Sequence, residues 1–171
     1  MLSVHSPLTP PSPLGGEGKG EGKTIRFFIL LATGFGVGYS PIAPGTLGTL
    51  VAIPIYYFLS EIHFPLYEIT LIGFFFLAVW VSEKTESISG KKDDPRIVID
   101  EIMGFFITML WMTKTSFFIL IGFVLFRFFD ILKPFPIRRF EKIKGGYGVV
   151  LDDVMAGIFA NVILRLIIIL L

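Results

Sequence analysis

The chain has 171 residues, 53% of them hydrophobic and 17% charged, with a net charge of +1 and a mean hydropathy of +0.77. Soluble domains carry roughly 45–50% apolar and about 25% charged residues, so these figures argue against a water-soluble fold and exclude disorder for most of the chain. A near-neutral charge also argues against a nucleic-acid binder, which needs a basic excess to pair with phosphates.

There is no cysteine, and the only histidines are His5 and His63. Disulfides, zinc–thiolate sites, iron–sulfur clusters and cysteine nucleophiles are thereby excluded, and histidine chemistry has little to work with. Any catalysis must use carboxylates, Lys, Arg, hydroxyls and backbone.

In chain order, residues 1–24 are Pro/Ser-rich and then Gly/Glu/Lys-rich, without apolar periodicity. They read as a disordered tail before an integral membrane domain over 25–171. A signal peptide beginning near Lys23 and Arg26 is the competing reading; the long segment in front of it counts against that. The apolar piece 25–39 ends in GFGVG and reads as an interfacial or re-entrant segment. Five apolar stretches follow, at about 42–60, 66–82, 99–112, 115–132 and 154–171. Several fall short of the ~20 residues that cross a ~30 Å hydrocarbon core. The expected fold is all-α: a polytopic membrane helical bundle with about five transmembrane spans.

Lys84, Lys91, Lys92 and Arg96 lie in the link 83–98, and Lys133, Arg138, Arg139, Lys142 and Lys144 in the link 133–153. Both links are therefore expected on the cytoplasmic side, with the N-terminus inside and the C-terminus outside. Trp80 and Trp111 read as interface markers, and Arg165 can snorkel outward. This topology delivers Asp100, Glu101, Asp130, Asp152 and Asp153 to one membrane face. Acids near helix N-termini are also favoured by the macrodipole, yet neighbours point ~100° apart, so the doubled pairs exceed what capping requires. Arg127, Asp130 and Lys133 sit three apart on one helical face, where a plain structural ion pair is the alternative. Asp94 in DDPR is either a turn residue or part of a site. Glu83, Glu86 and Asp93 read as a solvated face.

Carboxylates from several helices without His or Cys suit a hard cation such as Mg²⁺, and adjacent basic residues suit a phosphate. A cation channel or transporter with an acidic cluster fits almost as well, although the later spans hold few polar residues between their ends. In PIAPGTLGTL, Gly45 with Thr46 and Thr49 opens the first span as a potential phosphate cradle. Close helix packing through small residues is the alternative there.

Four runs together resemble the phosphatidylglycerophosphatase A family: GFGVGYSPIAPGTLG (34–48), IVIDEIMG (97–104), FRFFDILKPFPI (126–137) and GGYGVVLDDVMAG (145–157). They occur in order and cover most of the chain after residue 25. The resemblance implies a Mg²⁺-dependent, multi-pass lipid phosphatase of the bacterial inner membrane, facing the cytoplasm. Its substrate would be phosphatidylglycerophosphate and its products phosphatidylglycerol and phosphate; no protein partner is implied. In that reading Asp100, Glu101, Asp152 and Asp153 hold one or two Mg²⁺. Arg127 and Lys133 bind phosphate oxygens, with Gly45, Thr46 and Thr49 nearby, and Asp130 orients the cations or completes the metal shell. Attack by water and a covalent aspartyl-phosphate both remain open.

Overall fold

The structure, a computed structural model, describes residues 19–170. These residues form seven α-helices and a short 3₁₀ turn at Val37–Tyr39, with no strand among them. The helices are α1 (Lys19–Ala32), α2 (Pro44–Leu59), α3 (Leu66–Ser89), α4 (Ile99–Thr108), α5 (Ser116–Leu132), α6 (Ile137–Phe140) and α7 (Gly146–Leu170). Of the expected tail, residues 1–18 lie outside the described residues, whereas 19–24 form the start of α1. The apolar segment after them is helical, and the helix continues backwards through Lys19, Glu21 and Lys23 despite the weak helix formers Gly20 and Gly22.

Each of the five apolar stretches becomes a helix, but with different reach. The 24-residue α3 and 25-residue α7 are long and apolar enough to cross a membrane. The others have 16 residues (α2), 10 (α4) and 17 (α5), or about 24, 15 and 26 Å, so spanning length is not reached by each helix alone. The stretch 99–112 is shortened because Met109–Met112 leave the helix in turns, with Trp111 left-handed at φ 58°. Thr115 then caps α5 by accepting from the Phe118 N–H.

The short helix α4 is the axle of the fold. Helices α2, α3, α5 and α7 all pack on it. One apolar cluster joins Ile102, Phe105, Phe106 and Met109 to Tyr56, Phe126 and Leu164. The other joins Ile99 and Met103 to Phe28, Val79, Val81 and Val150. The α4–α7 approach is set by two glycines. A Cβ on Gly157 would collide with the Gly104 carbonyl, and one on Gly104 would meet Phe126 and the Asp153 carbonyl.

On the outside, α3, α5 and α7 expose apolar stripes. On α5 these are Phe117, Leu120, Val124, Phe128 and Ile131, each half exposed or more. The i, i+3, i+4, i+7 spacing gives the helix an apolar outer face as well as an apolar inner one. At the end of the bundle marked by Trp111, Arg165 donates to Asn161 Oδ1 and the Leu110 carbonyl, at 2.8 and 3.2 Å.

Gly157→Ala is expected to lower stability by about 1–3 kcal/mol, the usual cost of overpacking. Gly73→Ala, on an open face of α3 where nothing lies within 4 Å, should be neutral or slightly stabilising. Unfolding midpoints in detergent compare the two. Equal midpoints would refute the backbone contact as the reason for glycine at position 157.

Candidate active site

Three helix ends and an inner turn of α7 meet at one end of the bundle around a cavity of about 210 Å³. The α2 N-terminus brings Ala43, Pro44 and Gly45, and the α4 N-terminus brings Asp100 and Glu101. The α5 C-terminus adds Arg127, Asp130 and Lys133, and α7 adds Asp152 and Asp153. The α3–α4 link closes the rim with Asp93, Asp94, Pro95 and Ile97. All five expected acids and both expected cations thus share one cavity.

The two acid pairs are held differently. Asp100 and Glu101 occupy the first turn of α4, where no side chain caps the helix and the macrodipole favours negative charge. Asp152 and Asp153 do not open their helix as expected. Helix α7 already begins at Gly146, so they lie inside it, where neither capping nor the dipole accounts for them. One oxygen each from Asp100, Glu101 and Asp153 can be chosen so that all lie within 4.8 Å of one another. These three carboxylates make no ion pair among the described residues.

The cations serve the other two acids. Arg127 Nη1 lies 2.6 Å from Asp130 Oδ2, so the expected i, i+3 pair forms. Lys133 does not extend that row. It ends α5 in the left-handed conformation at φ 43°, and its Nζ reaches Asp152 Oδ2 at 2.5 Å and Glu141 Oε1 at 3.9 Å. Burial by itself would lower the Lys133 pKa, but the hydrogen bond and charge of Asp152 outweigh it and raise the value above the ordinary lysine range. At the cavity, Glu101 Oε2, Asp152 Oδ1 and Arg127 Nε are buried without a hydrogen-bond partner. Unpaired buried carboxylate oxygens are costly. An all-oxygen donor set with this surplus of negative charge suits a hard divalent cation.

The glycine segment divides. Gly45 lines the cavity, and a Cβ on it would collide with Glu101 Oε1. Any larger residue there would have to push the Glu101 carboxylate aside. Pro44 has no N–H, and the N–H groups of Gly45 and Thr46 belong to the first helical turn, which lacks intrahelical acceptors. Thr49 does not serve as expected: it is fully buried, and its hydroxyl donates to the Gly45 carbonyl at 2.9 Å. That is the back-bond a threonine makes within a helix. Thr46 is half-buried and is not among the residues that line the cavity.

Asp93 is exposed, as a solvated residue should be, and Asp94 makes the DDPR turn, yet both line the cavity rim. Asp94 is buried, accepts from Arg96 Nε at 2.9 Å and from its backbone N–H at 3.1 Å, and the Arg96 side-chain hydrogen bond holds its pKa down at about 2. Asp93 is left-handed at φ 52°, a conformation Asp tolerates better than most residues. Of the five non-glycine residues with positive φ in the described chain, three (Ala43, Asp93 and Lys133) line this cavity. Such backbone is held only where surrounding structure enforces it.

Lys133→Met leaves Asp152 buried and unpaired. It should cost about 2–3 kcal/mol, less than a fully buried pair because the Lys133 side chain is 22% exposed. Adding Asp152→Asn should recover most of the loss. Unfolding in detergent with EDTA measures both, and a double variant no more stable than the single would refute the pairing.

The sequence model of phosphatidylglycerophosphatase A matches residues 30–168. Proteins named phosphatidylglycerophosphatase A from Escherichia coli and Haemophilus influenzae are 39% and 42% identical to the chain, over 79% and 78% of its length and 80% and 84% of theirs. A Bacteroides thetaiotaomicron protein provisionally named phosphatidylinositol-3-phosphatase is 39% identical over 80% of this chain and 90% of its own. No solved structure matches. With its four motifs gathered at one cavity, the chain belongs to the phosphatidylglycerophosphatase A family.

Proposed function

We propose that the protein is a Mg²⁺-dependent lipid phosphatase of phospholipid biosynthesis. It hydrolyses the terminal phosphomonoester of phosphatidylglycerophosphate to give phosphatidylglycerol and inorganic phosphate. The observation that carries this reading is the convergence of Asp100, Glu101 and Asp153 with Arg127 and Lys133 in one cavity, in a chain of that family. The name of the Bacteroides relative points to a different lipid with the same phosphate pattern. Both lipids carry a phosphomonoester on a polyol that a phosphodiester joins to diacylglycerol.

Asp100, Glu101 and Asp153 would hold the metal, with Asp152 beside them. Mg²⁺ supplies Lewis acidity there, offsetting charge on the phosphoryl oxygens. Arg127, paired with Asp130, would offer its unpaired Nε to phosphate oxygens, and Lys133 would add a second positive charge. The backbone N–H groups of Gly45 and Thr46 and the positive end of α2 favour the same anion. Water adds to phosphorus, the bond from phosphorus to the glycerol oxygen breaks, and the proton ends on that oxygen. Asp152 Oδ1, which has no partner, would carry it.

The site faces the cytoplasm in this reading, in a multi-pass protein of the bacterial inner membrane. The apolar outer stripes of α3, α5 and α7 support lipid as the solvent. Basic residues on the two links that border the cavity support its sidedness. Helices α2, α4 and α5 complete the five membrane-inserted helices, with α4 shielded by its neighbours. Conduction of cations is disfavoured: from Ile102 to Ile107 α4 carries only apolar residues and glycine.

Phosphate release from phosphatidylglycerophosphate by the detergent-solubilised protein should require Mg²⁺ and stop with EDTA. Asp100→Asn should fold normally and lower the rate by about 10²-fold or more, the scale of losing several kcal/mol of charge stabilisation. With substrate labelled in the terminal phosphate, no label should remain on the protein. Trapped label would replace attack by water with an aspartyl-phosphate, and a folded wild type that releases no phosphate would sink the assignment.

A further inference from the structure

Beside the acidic cavity lies a second hollow, of about 450 Å³, with the opposite charge. Four cations line it, Lys133, Arg138, Arg139 and Lys142, together with Leu132, Pro134 and Phe135 and no acid. Lys133 belongs to both cavities, so the two hollows meet at its side chain. The Arg138 and Lys142 side chains are exposed and make no ion pair or hydrogen bond among the described residues. The nearby acid, Glu141, leans toward Lys133 at 3.9 Å. Arg139 lies over the Phe135 ring, 4.6 Å from its centroid, which fixes one guanidinium on the rim. Phe135 and Leu132 are 71% and 53% exposed and give the hollow an apolar lip. Sidedness explains basic residues on this link. It does not explain why they surround a concavity that shares a wall with the acidic site.

We propose that this basic hollow binds the bridging phosphodiester of the lipid substrate while the terminal phosphomonoester occupies the acidic cavity. The inference rests on the phosphatase reading and adds to it a basis for selectivity. Two anionic groups joined by a short polyol engage two adjacent hollows, with Lys133 between them and the acyl chains leaving past Leu132 and Phe135. A lipid whose sole phosphate is a monoester, such as phosphatidic acid, fills only the first hollow.

The double variant Arg138→Gln/Lys142→Gln tests this in neutral-detergent micelles. Both residues are exposed and outside the acidic cavity, so the fold and kcat should hold. KM for phosphatidylglycerophosphate should rise about tenfold, the scale of one charge-assisted contact, while affinity for phosphatidic acid, read as turnover or inhibition, stays the same. Phosphatidylglycerol carries the phosphodiester without the monoester. It should bind wild type saturably at one lipid per chain, and the variant about tenfold more weakly. Equal loss for both lipid types, no loss, or binding of phosphatidylglycerol that never saturates would overturn the proposal; the first and last would mark a general attraction to anionic lipid. If wild type released no phosphate from any lipid, the phosphatase reading would fail, while phosphatidylglycerol binding would still decide the hollow.

Discussion

A surplus of buried negative charge governs this fold. Asp100, Glu101 and Asp153 converge without an ion pair among the described residues, in a bundle whose two core clusters are apolar. Such charge is tolerable only where something offsets it. The α2 and α4 N-termini point their positive ends into the cavity region. Arg127 and Lys133 are already engaged by Asp130 and Asp152. What remains is an unmet demand for positive charge, which a divalent cation with a phosphate substrate would answer.

Meeting that constraint requires close backbone approach and strain. Gly104 and Gly157 let α4 and α7 pack nearly backbone to backbone, which brings Asp153 beside Asp100. Gly45 lets α2 come in over Glu101. Lys133 takes a left-handed conformation in which most residues are disfavoured, and its side chain thereby turns from the α5 row toward α7. Packing and chemistry are therefore not rival explanations for the glycine segments: the close packing is what assembles the carboxylates.

The arrangement also places two hollows of opposite charge side by side at one bundle end. The acidic one fits a metal and a phosphomonoester. The basic one, on the α5–α7 link, shares Lys133 with it. A lipid headgroup held in both would present its terminal phosphate to the carboxylates with its tails toward the apolar flank, so position in the membrane and position in the site would follow from the same contacts.

The sequence by itself determined the helical class, the five main apolar helices and the clustering of Asp100, Glu101, Asp130, Asp152 and Asp153. Apolar run length, charge at the run ends and the positive-inside bias are local properties that survive without knowledge of packing. The i, i+3 pairing of Arg127 with Asp130 was legible for the same reason. Only tertiary structure decided that α4 is a short, enclosed axle, because its end depends on how Met109–Met112 turn beneath α5. It also decided that Lys133 serves Asp152, that Asp94 is buried at the rim, and that Thr49 turns its hydroxyl back onto its own helix. Each of those outcomes depends on a left-handed residue, a long-range neighbour or a competing backbone acceptor. Neither composition nor spacing encodes these directly, since they are set by which surfaces meet once the helices have packed.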